Sequence, residues 1–332
     1  MLFVCDAFAH PVYFCGNIGF IMLMERSSYT NLLPGLTYYV GLKIYLCPVE
    51  TMDLFKGRCW ADWIMGLGIT HLGSGSRGNA TLISTENCNV LVDCGFSLKQ
   101  TENRLAIADV DPNSIDAVVV THHHKDHSGS ALRASKKWGA SLHCNLGTAI
   151  RMGWRPIEEC TTFGNLERLD FPGGMSMLTI PVPHDDSDNV GIIASDGRGS
   201  RAGIVTDLGE ATRDLVKQLS GCNHISIEAN YDHSRLLRGP YPDSLKRRIS
   251  GRGGHLSNFQ TGQILQEVSN KNLQSVVLCH LSESNNAPHI AESEVLLAMG
   301  DEFEGSVSIS KQKGPEFTHW AGVEEPSKLA IV

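Results

Sequence analysis

Between Ile115 and Gly129 the chain reads IDAVVVTHHHKDHSG, a Val-rich run that ends abruptly in a cluster of histidines. A short continuous apolar run bounded by polar residues is the pattern of a strand covered on both faces, so the fold must supply a layer on each side of it. Directly after the strand comes the spacing H-x-H-x-D-H, made by His122, His124, Asp126 and His127. Residues two apart in an extended segment project to the same side, and the next turn carries Asp126 and His127 round to a second position. Neutral imidazole and carboxylate are the groups that borderline divalent ions such as zinc or manganese accept. An affinity tag would carry no internal Asp and would not come after a buried strand. His123 is expected to point away from the cluster.

Three more polar residues close largely apolar runs downstream: His184 ends TIPVPH, Asp207 ends AGIVTD and His280 ends SVVLCH. Any one of them alone reads as a loop residue, whereas three in the same context point to a binuclear site. His122, His124 and His184 are assigned to one metal, Asp126, His127 and His280 to the other, and Asp207 bridges the two. Two divalent ions about 3.5 to 4 Å apart can acidify a shared water and stabilise both the attacking and the leaving oxygen of a displacement. Asp126 is the expected catalytic partner of that water, and Asp93, ending NVLVD, is expected to orient a ligand or a loop. From Ile69 onward, short β-branched runs alternate with Gly, Asn and Asp turns and with helical stretches. Strands mixed with helices, many strands ending in polar residues, predict an α/β sandwich whose chemistry lies at the strand ends.

An apolar content of 42% with 19% charged residues is that of an ordinary globular chain and excludes disorder as the default. A net charge of −8 argues against binding nucleic acid by bulk charge alone. The ten cysteines are scattered without a C-x-x-C pair, and several sit in apolar runs as small hydrophobes, the usage of a reduced cytoplasmic chain. Residues 1–64 form an unassigned extension that holds just over half of the aromatics and no clean period, with the compact domain running over 65–332. The apolar stretch from Val12 to Met24 is broken by Gly and Asn and falls short of the roughly 20 residues a membrane span needs. A signal peptide would want a basic start, yet MLFVCDAFAH carries Asp6 and no Lys or Arg, so no membrane attachment is expected.

Against this acidic background Arg235, Arg238, Lys246, Arg247, Arg248 and Arg252 fall together, next to GGHLSN. Such a run is often just a solvated helix face; beside a two-metal site it suits a phosphate backbone, with Lys246 and Arg248 as contacts. His255 could donate to the phosphate or protonate the leaving oxygen, with Ser257 and Asn258 fixing its loop. Ser74, Ser76 and Asn79 in GSGSRGNAT could approach phosphate, as Gly-rich turns permit, although a tight turn alone explains the same residues.

From roughly Ile69 to its end the chain resembles the metallo-β-lactamase superfamily. LGSGSRGNATLI, THHHKDHSG, IEANYD, YPDSLKRRISGRGGHLSN and LCHLSESNN look like the WalJ/YycJ group, whose members are similar to 5'-to-3' exodeoxyribonucleases. The resemblance implies a four-layer αββα fold, a two-metal phosphodiesterase site with a metal-activated water as nucleophile, and DNA as partner in a cytoplasmic repair process. EANYD departs from the group by placing Tyr231 where a His is usual, which touches substrate contacts more than metal binding. Two other functions fit the same ligands: a phosphodiesterase for a small cyclic or ribosyl phosphate, and a catalytically silent metal-dependent binding module. A thioester hydrolase would leave the basic segment without a substrate. The stretch between Asp207 and His280 has no room for an inserted clamping domain, so loops must build the groove, with a homodimer's second subunit as one way to complete it.

Overall fold

The computed structural model describes residues 66–185, 188–300, 303–315 and 318–322, together with five short strands between Val12 and Pro48. The expectations for the N-terminal extension otherwise lie outside the described residues. Gly66–Val323 forms one compact unit. No helix among the described residues is long and apolar enough to cross a membrane.

Two seven-stranded sheets face each other in this unit. The first holds β1 (Leu67–Gly73), β2 (Ala80–Thr85), β3 (Cys88–Val92), β4 (Ala117–Val120), β5 (Ser141–Asn145), β6 (Thr161–Phe163) and, later in the chain, β14 (Thr318–Ala321). Its spatial order is β6-β5-β4-β3-β2-β1-β14. The second holds β7 (Arg168–Asp170), β8 (Ser176–Pro181), β9 (Val190–Ser195), β10 (Arg201–Val205), β11 (His224–Glu228), β12 (Ser275–Cys279) and β13 (Ser306–Ile309), in sequential order. From β10 to β13 neighbouring strands run parallel, as do β3 to β6, which brings several strand C-termini to one edge.

Alternation along each strand sorts side chains into three apolar layers. Ala117 and Val119 of β4 face the other sheet, with Val90, Val92, Met177, Ile192 and Ile204. Val118 and Val120 face outward, onto α1 (Leu98–Ile107) and α3 (Ala131–Trp138) through Leu105, Ala131, Ala134 and Trp138. The outer face of the second sheet packs Ile225, Ile227, Val276 and Leu278 against α4 (Arg213–Leu219), α5 (Asn258–Val268) and α6 (Pro288–Met299). These layers make the expected αββα sandwich. The Val run is buried on both faces because sheet covers one side and helix the other. All six cysteines among the described residues that the structure records as free thiols are buried.

One end of the sheet-to-sheet contact is polar. His71 bonds Thr81 Oγ1 through Nδ1 (3.0 Å) and Ser226 Oγ across the interface through Nε2 (2.8 Å). Ser226 also meets His224 Nε2 (2.7 Å), whose Nδ1 meets Ser275 Oγ (2.7 Å). A fully bonded chain of this kind fixes how the sheets register, because slipping it would bury unsatisfied groups. Burial and the neighbouring His319 hold His71 down at about 3. The unfolded chain takes up this proton first, so stability present above the ordinary imidazole range is lost as pH falls from about 6.5 toward 3. At about 1.4 kcal/mol per unit, the loss reaches on the order of 3 kcal/mol by pH 4. Urea midpoints at pH 7 and 4.5 should therefore differ less for His71→Gln than for the parent; an unchanged pH slope would refute this account.

Candidate metal centre

Strand C-termini from both sheets converge on one edge of the sandwich. β3 delivers Asp93, β4 His122, β8 His184, β10 Asp207, β11 Glu228 and β12 His280. Asp93, Asp207 and His280 leave their strands with φ of 62°, 58° and 53°. Left-handed backbone at residues other than Gly costs of order 1 to 3 kcal/mol and persists only where surrounding contacts enforce it. Short helix α2 (Lys125–Ser128) is clamped from two loops: after β3, Cys94 N donates to His127 O, and before β2, Asn79 N donates to Asp126 O. Gly95 lies so close to that turn that a Cβ would collide with the Asp126 carbonyl.

The ligating atoms gather in overlapping groups. The possible ligand atoms of His122, His124 and His184 lie within 4.8 Å of one another, as do those of Asp126, His127 and His280, of His122, His127 and Asp207, and of Asp207, Glu228, His255 and His280. Asp207 Oδ2 lies 2.9 Å from His127 Nε2, and its Oδ1 lies 3.8 Å from His184 Nε2. The structure thus brings the residues of each trio together and sets Asp207 beside both. His123 stands outside these groups.

Four of the imidazoles, those of His122, His127, His184 and His280, are turned by a partner on the far side. His127 Nδ1 donates to Asp93 Oδ2 (2.7 Å). Thr121 Oγ1 donates to the same carboxylate and accepts from His122 Nδ1 (3.1 Å), so Asp93 orients two histidines. His184 Nδ1 donates to Gly254 O (3.0 Å) and His280 Nδ1 to Glu228 Oε1 (2.8 Å). A proton on Nδ1 leaves the Nε2 lone pair facing the centre, the tautomer a metal requires. His122 Nε2 and His280 Nε2 are buried there without a hydrogen bond. Orphaned buried acceptors are costly, and a cation is the partner that satisfies several at once.

Charge obeys the same logic. Burial opposes a proton on His127, but Asp207 and Asp93 raise it well above the ordinary imidazole range. Burial likewise opposes one on His280, which Asp207, Asp126 and Glu228 lift to about 10. Burial pushes Asp207 up, yet His280, His127 and His122 hold it well below the usual carboxylate range. Those protons supply the positive charge that divalent ions would bring, so the residues present fit such ions and would release protons on binding them.

Glu228 is a site residue that the sequence pattern does not single out. It is fully buried, and Oε1 accepts from both His255 Nδ1 and His280 Nδ1 (2.8 Å each). Its Oε2 accepts from Leu208 N and Leu256 N. Burial pushes Glu228 up, but His255 and His280 bring it to about 2. His255 retains a partly exposed ring beside His184 and His280, with centroids 5.1 and 5.4 Å away. Burial disfavours a proton on it, and Glu228 and Asp207 overcome this to raise it.

Several residues expected at phosphate are turned elsewhere. Ser74 is buried, donates to Asn79 Oδ1 (3.1 Å) and accepts from His280 N (2.9 Å). Asn79 is also buried, with its amide on Gly75 O and His127 Nε2, so both brace the centre from within. Ser76 is exposed. Ser257 caps α5 with Gln260 and Asn258 pairs its amide with Asn286, so both fix the loop after His255 and neither side chain is open to a substrate. Lys246 Nζ donates to Leu237 O (2.7 Å). Arg248 grips Asp185, whose Oδ2 lies 3.5 Å from His124 Nε2. Tyr231 is buried, bridged to Ser257.

Residues 73–208 match the metallo-beta-lactamase superfamily. The chain is 29% identical to exodeoxyribonuclease YycJ of Bacillus anthracis over 70% of its own length and 88% of that protein. It is 27% identical to exodeoxyribonuclease WalJ of Streptococcus pneumoniae over 71% of its length and 90% of that protein. Among solved structures, the metallo-beta-lactamase fold protein YhfI from Bacillus subtilis aligns with a TM-score of 0.59 at 16% identity, covering 77% of this chain and 99% of that one. A fold of this kind implies divalent metal binding. With its αββα layers and its converging histidines and carboxylates, the chain is a metal-dependent hydrolase of the metallo-beta-lactamase fold, similar to the YycJ and WalJ exodeoxyribonucleases.

Proposed function

We propose that the chain is a two-metal phosphodiesterase, a 5'-to-3' exodeoxyribonuclease acting in cytoplasmic DNA repair. The observation that carries the reading is the pair of ligand trios sharing Asp207, with His255 beside them and arginines around them. The names of the relatives support DNA as substrate. His122, His124 and His184 would hold one ion and Asp126, His127 and His280 the other, with Asp207 available to both. Zinc or manganese suits this donor set. Bound there, the ions supply Lewis acidity at phosphoryl oxygens and acidify the attacking water. Asp126, the more open carboxylate, orients that water. His255, held protonated by Glu228, donates to the phosphate or to the leaving oxygen. Arg248 neutralises phosphate charge at the entrance.

Purified protein given manganese or zinc and duplex DNA labelled separately at each strand end should release label from the 5' end first. Hydrolysis of cyclic phosphodiesters with DNA left intact would instead identify a small-molecule phosphodiesterase.

A further inference from the structure

Three arginine–carboxylate pairs stand near the centre, and each acid lies close in sequence to a centre residue. Asp185 comes directly after His184 and holds Arg248 (2.7 Å). Glu210 lies in the loop after Asp207 and holds Arg252 Nε (2.6 Å). Glu283 lies in the loop after His280 and holds Arg77. The arginines come from two other segments that brace the same centre. Arg77 lies on the loop whose Ser74 accepts from His280 N; Arg248 comes just before, and Arg252 lies within, the turn whose Gly254 carbonyl orients His184.

The Arg77, Arg248 and Arg252 side chains are exposed, keeping 69%, 64% and 79% of their accessible surface, and so are Glu283 and Glu210, while Asp185 is half-buried beside His124. Exposed pairs contribute little to stability, so they are not what holds the loops in place. They can exchange partners at small cost. Arginine presents a planar fork that binds phosphate oxygens as well as it binds carboxylate. A small diester fills the centre alone, whereas a strand carries phosphates past it on either side of the bond being cut.

We infer that Asp185, Glu210 and Glu283 are placeholders for strand phosphates, and that Arg248, Arg252 and Arg77 change partner when a nucleic-acid strand binds. The carboxylates keep the arginines spread around the entrance of an acidic protein and offset their charge until a polyanion arrives. This rests on the nucleic-acid reading above and adds to it how the strand is gripped.

The test is binding of a short fluorescein-labelled single strand with phosphorothioate linkages, monitored by anisotropy at low salt. Glu210→Gln and Glu283→Gln should each tighten Kd about threefold, the scale of an exposed pair. Arg252→Gln should weaken it by a similar or larger factor and reduce its salt dependence. In the Arg252→Gln background, Glu210→Gln should have no further effect, because its partner is gone. No tightening from either acid variant, or equal tightening with and without Arg252, overturns the inference, the latter by pointing to bulk charge. Unmodified DNA separates the two readings. Protein that degrades it without any effect of the acids loses only the exchange. Protein that cleaves small diesters alone loses the nuclease assignment.

Discussion

Asp207→Ala should abolish phosphodiester hydrolysis, with a loss on the order of a thousandfold or more, the scale of removing a preorganised electrostatic contact. Among the described residues outside the trios, Asp207 is the carboxylate that lies by a histidine of each: 2.9 Å from His127 Nε2 and 3.8 Å from His184 Nε2. Asp93 and Glu228 are engaged by the Nδ1 groups of His127 and His280, so neither is set between the two trios as Asp207 is. Metal analysis after dialysis should show fewer ions per chain than in the parent. The metal-free variant should also melt lower, because His127 and His280 lose the anion that stabilises their protons. Full metal content with activity within tenfold of the parent would rule out a bridging role.

Glu228→Gln should cut activity by about 10- to 100-fold, the usual effect of losing the group that orients a ligand. It should also lower stability by about 3 kcal/mol, because a buried charge set loses one member. Both effects have one origin: a single buried carboxylate accepts from His255, His280 and two backbone amides, and an amide in its place presents donors to donors. The pH profile separates positioning from simple packing. Glu228 raises His255, so a step that needs protonated His255 fails as pH rises through its pKa. Without the carboxylate that pKa falls, and the alkaline limb of kcat should move to lower pH. A uniform loss of rate with an unmoved limb would leave Glu228 as scaffold alone.

Glu228 also marks the limit of local pattern. HISIEAN alternates apolar and polar residues, as a strand with one face in water does. In the fold both faces of β11 are covered: Ile225 and Ile227 pack on helices, while His224, Ser226 and Glu228 turn toward the other sheet. Nothing local distinguishes a wet polar face from a buried, fully bonded one. Ser74 and Asn79 depart from expectation for the same reason, since a Gly-rich turn looks alike whether its side chains face a ligand or brace a histidine from inside.

The chain determines by itself whatever repeats along it. Apolar runs that stop in His122, His184, Asp207 and His280 carry the ligand types and the ends of the strands, because strand burial and side-chain alternation are local properties. Tertiary structure decides which nitrogen of each imidazole faces the centre, since Asp93, Gly254 and Glu228 set it across long sequence separations. It also decides the left-handed turns at Asp93, Asp207 and His280, which cost free energy locally and survive only because two packed sheets enforce them. The pairing of the rim arginines belongs to the same class: a run of positive charge is visible in the chain, but the carboxylate facing each arginine comes from another loop.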